Sequence, residues 1–367
     1  MERYKRQIIL EEFGEESQKK LLNSRVLICG AGGLGCPALL YFAAAGIGTI
    51  GIADFDKVEI TNLQRQTLYN ENDLGKLKVE AAKENLGKLN SNIKINTYNT
   101  SINNKNAVEI ISNYDIVVDG TDNFETRYIL NDTCVLLDKP LVYGAVLKFE
   151  GQVGVFNLQT KNNNFKTNYR DLFHTPPDPK KNPTCNDAGI LGVLPGIIGT
   201  LQATETIKII TGIGEPLANQ ILSFNALSNS FYKVNLAKSE KNGVPVNIED
   251  FKNYDYSLFC NSKTNENEIE ISQFKKLLKT EKLTIVDIRE YGEKPDTTDF
   301  SYKKIPMSQL YENLNYFICD DKLIIFCQTG KRSLNVAEIL KDELPGQSIY
   351  SLKGGIVEWE KNKLLKK

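Results

Sequence analysis

The chain is 367 residues long and 41% hydrophobic, enough for two domains or for one large α/β domain with its own core. Its 45 lysines and arginines nearly cancel 46 aspartates and glutamates, so no global field points to nucleic acid or a membrane as partner. Seven cysteines at no framework spacing suit a reducing compartment better than a secreted disulfide scaffold, and the cytoplasm is the expected location.

The chain starts on MERYKRQIILEEFGEE, which is charged and lacks the apolar run of a signal peptide. RVLICG and TIGIAD read as buried parallel strands on either side of a helix, CPALLYFAAAGIG, that stops at glycines. DIVVDGTDN reads as another strand, with polar residues at the carboxyl end, where open α/β sheets place their ligands. PLVYGAVLKFEGQVGVFNL alternates as antiparallel strands do. The polar, proline-containing residues 159–189 read as a long mobile loop. GIIGTLQATETIKIITG then returns to helix, and the overlapping apolar run ILGVLPGIIGTL is too short and too rich in Gly and Pro to span a bilayer.

Residues 238–264 are polar and nearly patternless, a linker between a domain over 1–237 and a smaller α/β domain over 265–367. In the smaller domain ISQFKKLLKT reads as helix, LTIVDIRE and KLIIFCQTGKRS as strands entering loops, and SLNVAEILKDELPG as an amphipathic helix. The alternation of strand and helix makes the fold class α/β, with a Rossmann-like domain first.

RVLICGAGGLG places Gly30, Gly32, Gly33 and Gly35 between strand and helix, and Asp54 follows as the acid expected on a ribose. Such a turn lets the backbone approach phosphates at a helix N-terminus, but it does not separate NAD from ATP. The residues that follow favour ATP. Asn62, Arg65, Gln66 and Lys78 lie just beyond the acid, a basic cluster that hydride transfer does not require. Hydride transfer instead wants a proton donor or acceptor beside the substrate, and the single histidine, His174, falls in the expected loop. Arg65 and Lys78 suit stabilisation of phosphoryl oxygens as pyrophosphate leaves, although either alone would equally fit a solvated surface. Asp122, at a strand end, is placed to hold Mg²⁺.

RYKRQIIL, GAGGLGCP, DFDKVEITNLQRQ, GKLKVEAA and GTDNFETRYILN together resemble the ubiquitin-activating superfamily, and more narrowly its MoeB/ThiF-type adenylyltransferases, over residues 1 to about 235. The resemblance implies ATP-dependent adenylation of the C-terminal glycine of a small ubiquitin-like sulfur carrier ending in Gly-Gly. The attacking carboxylate is already ionised, so that step needs orientation and charge stabilisation and no general base. The resemblance further puts Gly32 at the phosphate turn, Asp54 on the ribose, Asn62 beside the triphosphate, Arg65 and Lys78 on phosphate and Asp122 on Mg²⁺. It also implies a homodimer in which Arg6 reaches the ATP of the other subunit. Many relatives carry two CxxC pairs on a structural zinc. Here Asn168 and Asp171 stand at the first pair and LAKSEKNG at the second, so no zinc is expected. Cys185, in PTCNDAGILG, matches a loop cysteine that takes part in sulfur or acyl transfer in such enzymes; a partly buried structural thiol is the other reading. Cys29 and Cys36 read as packing residues, and no chemistry is assigned to Cys134, Cys260 or Cys319.

IIFCQTGKRS puts Cys327 at a strand end, followed by Gln328, Thr329, Gly330, Lys331 and Arg332 in a loop entering a helix. Successive N–H groups, the helix dipole and two cations there would favour a thiolate or a persulfide anion. With VDIRE upstream and LKGGIVEWE downstream this resembles a rhodanese domain, although SYKKIPM replaces the usual Gly-His-Ile-Pro stretch. The four residues between Cys327 and Arg332 make a loop shorter than the phosphate cradle of cysteine phosphatases, favouring sulfur. The combined expectation is an adenylyltransferase/sulfurtransferase that turns the carrier's terminus into a thiocarboxylate, with a cysteine desulfurase or thiosulfate as sulfur donor. Molybdopterin synthesis is the leading pathway and a thiamine-pathway carrier the alternative. An NAD-dependent oxidoreductase with an unrelated sulfur domain and a non-catalytic carrier-binding partner are the rival classes.

Overall fold

The computed structural model describes residues 1–160, 164–174, 189–239, 243–256 and 267–364. The chain divides into two compact units, Met1–Cys260 and Asn261–Lys367.

The first unit is built on eight strands: Arg25–Cys29 (β1), Thr49–Ala53 (β2), Lys94–Tyr98 (β3), Ile116–Asp119 (β4), Leu141–Leu147 (β5), Glu150–Phe156 (β6), Gln220–Asn225 (β7) and Ser230–Asn235 (β8). Their order in the sheet is β3-β2-β1-β4-β5-β6-β7-β8. The strands from β3 to β5 in that order pair in parallel and those from β5 to β8 antiparallel; the sequence alternation predicts the antiparallel β5–β6 pair, and β7 and β8 extend it. The central parallel strands β1, β2 and β4 are buried on both faces because their inner positions are mostly apolar, whereas the edge strand β3, KINTY, is only half-buried. In β1 the alternation sends Val26 and Ile28 into one core and Leu27 and Cys29 into the other.

The helices of this unit are Lys5–Ile8 (α1), Gly14–Asn23 (α2), Gly35–Ala45 (α3), Lys78–Leu89 (α4), Ala107–Ser112 (α5), Phe124–Leu136 (α6), Tyr169–Leu172 (α7), Val193–Thr211 (α8) and Ile248–Asn253 (α9). One core takes Leu39 and Phe42 of α3, Val79 and Leu86 of α4 and Ile198 of α8. The other takes Ile110 of α5 and Tyr128 and Ile129 of α6. Helix α3 stops at Gly46 in the left-handed conformation. The N-terminal arm is pinned there: the Tyr4 ring fills the space a Gly46 side chain would take, and Asn90 Nδ2 donates to Tyr4 Oη at 2.9 Å. Among the described residues no helix is long and apolar enough to cross a membrane.

Two segments differ from the sequence expectation. The long loop contains α7, whose Arg170 is buried and donates through Nε and Nη2 to Asp132 at 2.8 and 2.7 Å. The expected linker over 238–264 is not a tether throughout, and the unit continues past 237. Asn247 caps α9, Phe251 is fully buried, and Tyr256 Oη donates to Asp132 Oδ2 at 2.6 Å. Both segments are polar by composition and carry only a few large apolar anchors, so periodicity could not reveal them.

The second unit is a parallel sheet of Glu268–Ile269 (β9), Leu283–Asp287 (β10), Lys303–Lys304 (β11), Lys322–Phe326 (β12) and Ile349–Leu352 (β13). The order is β11-β10-β12-β13-β9. Its helices are Ile271–Thr280 (α10), Lys331–Glu343 (α11) and Gly355–Leu364 (α12). Phe274, Phe300 and Trp359 pack on one face of the sheet, and Val336, Ala337 and Leu340 of α11 on the other.

Phe251→Ala should lower the stability of the first unit by about 3 kcal/mol, the cost of an emptied aromatic site. Urea unfolding followed by hydrogen exchange should place the loss in residues of the first unit. An unchanged midpoint there would mean that α9 does not belong to this core.

Candidate functional site

The carboxyl ends of β1 and β4 meet at the glycine turn. Gly30 has a φ of +93°, and a side chain there would come within 2.5 Å of the Gly120 carbonyl oxygen. Gly32 faces open space instead, where an added Cβ would meet only Gln66 Nε2 at 3.6 Å. Gly33 is flanked by Pro195 of α8 and Arg65, and Gly35 opens α3. The acid expected after β2 is in place: the N–H groups of Ala31 and Asp56 donate to the two oxygens of Asp54, each at 2.8 Å. Burial pushes the Asp54 carboxyl up, against the pull of Lys78 and these two donors.

Asn62, Arg65 and Gln66 share one turn, since the Asn62 carbonyl accepts from both the Arg65 and Gln66 N–H groups at 3.0 Å. Asn62 Oδ1 accepts from the Glu59 N–H, and Arg65 Nη1 donates to the Thr61 carbonyl at 3.0 Å. Gln66 is buried, and its Oε1 has no hydrogen-bond partner. The amide nitrogen of the same side chain is the atom that faces Gly32. Lys78 is buried with Nζ 2.8 Å from Asp56 Oδ2, a partner the sequence reading did not name.

Asp122 is exposed at the turn after β4. Beneath it Asp119 is fully buried; its Oδ1 accepts from the Thr121 N–H and hydroxyl at 2.9 and 2.6 Å. Arg127 donates to Asp119 Oδ2 at 3.0 Å and to the Thr121 carbonyl at 3.0 Å, and Asn123 caps α6. The sequence reading missed the Asp119–Arg127 pair, although Asp119 lies in DIVVDGTDN and Arg127 in the overlapping GTDNFETRYILN. Among the described residues no three metal-ligating side chains cluster. Asp122 suits an ion such as Mg²⁺ that takes one protein carboxylate and completes its shell with phosphate and water. Arg6 stands apart, exposed on α1.

At the position of the first CxxC pair, Asn168 caps α7 and its N–H donates to Asp171 Oδ2 at 2.7 Å. Asp171 Oδ1 accepts from the Ser239 N–H at 2.9 Å, so hydrogen bonds join this segment to the region of the second pair. His174 Nε2 lies 2.7 Å from Ser239 Oγ. Cys185 and Cys260 lie outside the described residues. Cys29, Cys36 and Cys134 are buried, and burial pushes their thiols up, Cys36 to about 12, as packing residues require.

In the second unit Cys327 follows β12 and is buried, with the Ser333 N–H and hydroxyl 3.4 and 3.5 Å from its Sγ. Gly330 at φ +88° caps α11, which starts at Lys331, two residues before the expected Ser333. Ser333 Oγ also donates to the Gly330 carbonyl and lies 2.7 Å from Ser351 Oγ, which fixes the hydroxyl beside the sulfur. Gln328 Nε2 donates to the Lys294 carbonyl at 2.7 Å. Arg332 does not stand as a lone cation: Nη1 and Nη2 pair with the two oxygens of Glu293 at 2.8 and 2.6 Å. Arg289, fully buried, pairs with Asp287 and donates to the Pro295 carbonyl. Sequence spacing held no sign of the Glu293 contact.

Residues 4–246 match the ThiF family and residues 270–362 the rhodanese-like domain. A probable adenylyltransferase/sulfurtransferase, MoeZ of Mycobacterium tuberculosis, is 36% identical over 98% of this chain and 92% of its own length. A probable molybdopterin-synthase adenylyltransferase of Porphyra purpurea is 39% identical, with 97% and 92% covered. The crystal structure of E. coli MccB with ATP aligns at a TM-score of 0.57 and 26% identity, covering 66% of this chain and 74% of that one.

Gly30→Ala should cost about 1–3 kcal/mol or more through backbone strain and the clash at Gly120. Gly32→Ala should keep the parent melting temperature and lose about tenfold in ATP affinity, because its methyl group would stand in the phosphate path. Thermal melts and calorimetry with ATP check the pair; full ATP affinity in Gly32→Ala would remove the phosphates from this turn.

Proposed function

Because the chain belongs to the ThiF family, as an adenylyltransferase with a C-terminal rhodanese-like sulfurtransferase domain, we propose that it activates the C-terminal glycine of a small ubiquitin-like sulfur carrier and converts it to a thiocarboxylate. The observation that supports this reading is an open glycine turn with Arg65 beside Gly33, Gln66 beside Gly32, Asp54 bonded to the Ala31 N–H, Asn62 in the turn that holds Arg65, and Lys78 paired with Asp56. Such a site is equipped for phosphoryl charge and not for hydride or proton transfer.

In the proposed reaction a carrier carboxylate oxygen attacks the α-phosphorus of ATP and pyrophosphate leaves with the bonding electron pair. Arg65 and Lys78 stabilise the departing charge; Lys78 must exchange Asp56 for phosphate to do so. Asp54 and Gln66 orient the ribose end, and Asp122 would hold Mg²⁺, which supplies further charge neutralisation when bound. The terminal sulfur of a Cys327 persulfide then attacks the acyl carbon, and AMP leaves. A second thiol, for which Cys185 is the candidate, attacks the Cys327 sulfur of the resulting acyl disulfide; that S–S bond breaks, the thiocarboxylate leaves, and the Cys327–Cys185 disulfide that forms is reduced by an external thiol before the next turnover. The enzyme acts as a cytoplasmic homodimer in which Arg6 completes the ATP site of the opposite subunit. Molybdopterin synthesis is the proposed pathway, supported by the name of the Porphyra purpurea relative.

Arg65→Ala and Asp122→Ala should each reduce carrier-dependent pyrophosphate exchange by about 10²–10³-fold while leaving the fold intact. Cys327→Ser should retain exchange and form no thiocarboxylate from a persulfide donor, since a hydroxyl does not replace the thiolate nucleophile at neutral pH. Mass spectrometry of the carrier terminus reads both steps. Exchange at the parent rate in Arg65→Ala would refute the adenylation site, and a normal thiocarboxylate yield from Cys327→Ser would remove the rhodanese-like domain as sulfur source.

A further inference from the structure

The Lys78–Asp56 pair is unevenly buried. The Lys78 side chain is only 7% exposed and that of Asp56 is 52% exposed, yet their charged atoms meet at 2.8 Å. The backbone fixes where they meet. The Lys78 N–H donates to the Asp56 carbonyl at 2.9 Å, and an antiparallel bridge pairs Lys57 with Leu77 beside it. Parting the two charged groups therefore takes side-chain rotation alone. Asp54 also feels Lys78, but its two oxygens already accept the N–H groups of Ala31 and Asp56, each at 2.8 Å. Asp56 thus braces the acid expected on the ribose through its N–H, and that bond does not involve its carboxylate.

Separation costs the two partners unequally. A nearly buried ammonium has given up its water, so without a counter-ion it is an uncompensated charge in a poor solvent. A half-exposed carboxylate returns to water at little cost, because an ion pair with one wet partner is a weak one. Lys78 is the member that must always have an anion, and Asp56 is the member that can be dismissed. A polyphosphate brings several negative charges and can take its place, whereas adenosine brings none.

Resting on the adenylation reading above, we propose that Asp56 is a placeholder counter-ion, a positioning residue that acts through Lys78. It neutralises and orients the lysine while the site is empty, and it competes with the phosphates of ATP for the same ammonium. The carboxylate touches neither ribose nor reacting atoms in this role. The empty site gains stability from the pair, and ATP binds less tightly than it would to an unengaged lysine. A residue that merely aimed Lys78 at phosphate would act in the opposite sense, since its loss would weaken ATP binding.

The test uses the full chain without carrier, so that bound ATP is not consumed. Calorimetry measures the affinities for ATP with Mg²⁺ and for adenosine, and a thermal melt is recorded without ligand. Asp56→Asn keeps the size of the side chain and removes its charge. It should bind ATP about fivefold more tightly, hold adenosine at the parent affinity, and melt at a lower temperature when ligand-free. A lesion of the fold would move ATP affinity and melting temperature down together, so the opposed signs identify a competitor. Asp56→Glu keeps the charge and should stay within about twofold of the parent ATP affinity. In a Lys78→Gln background the Asp56→Asn change should leave ATP affinity unmoved, because no ammonium remains to compete for. An ATP affinity that is unchanged or weaker in Asp56→Asn overturns the inference. So does a gain that adenosine shares, or one that persists beside Lys78→Gln. A parent protein that binds no ATP overturns the adenylation reading itself.

Discussion

The close approach of two backbone turns governs the candidate nucleotide site. After β1 the chain turns at Gly30, after β4 it turns at Gly120, and the carbonyl of each occupies the space where a side chain on the other would stand. Only two glycines allow strands paired side by side to end in turns that press together. The contact brings the helix start after Gly35, the acid after β2 and the carboxylate after β4 to one edge of the sheet. Each was far apart in sequence and becomes adjacent because adjacent parallel strands end at the same level. A ligand bound there meets preset donors, and little reorganisation remains for the moment of reaction.

Charge in both units is arranged in internal pairs. Arg127 with Asp119, Arg170 with Asp132, Lys78 with Asp56, Arg289 with Asp287 and Arg332 with Glu293 are all in contact. The fully buried pairs shape turns, because removing either partner would strand a charge in a poor solvent. The pairs with an exposed member, Lys78 and Arg332 above all, differ in kind. Their carboxylates are reachable by water, Asp56 at 52% exposure and Glu293 at 28%.

Strands β1, β2 and β4 of the large sheet were legible because continuous apolar runs followed by polar strand ends have few other solutions, whereas β3, KINTY, has no such run and escaped. The glycine turn and the place of Asp54 after β2 were legible for a related reason: tight geometry restricts which residues can stand there. What escaped the sequence was carried by single long-range contacts. Phe251 and Tyr256 turn a polar stretch into part of a core, and Arg170 turns an expected loop into a buried ion pair. Glu293 reaches Arg332 across 39 positions, and no local period encodes such a pairing.

The pinned arm at Tyr4 bears on how Arg6 can act. A long basic side chain on a free tail loses backbone as well as rotamer entropy when it binds, and much of its contact energy is consumed in that ordering. Here the ring of Tyr4 is seated against Gly46 and bonded to Asn90, so the backbone two residues before Arg6 is already ordered by folding. Only the rotamers of Arg6 remain to be fixed. The arm therefore presents its guanidinium as a preformed part of the surface, and whatever it grips inherits the rigidity of the helix α3 cap.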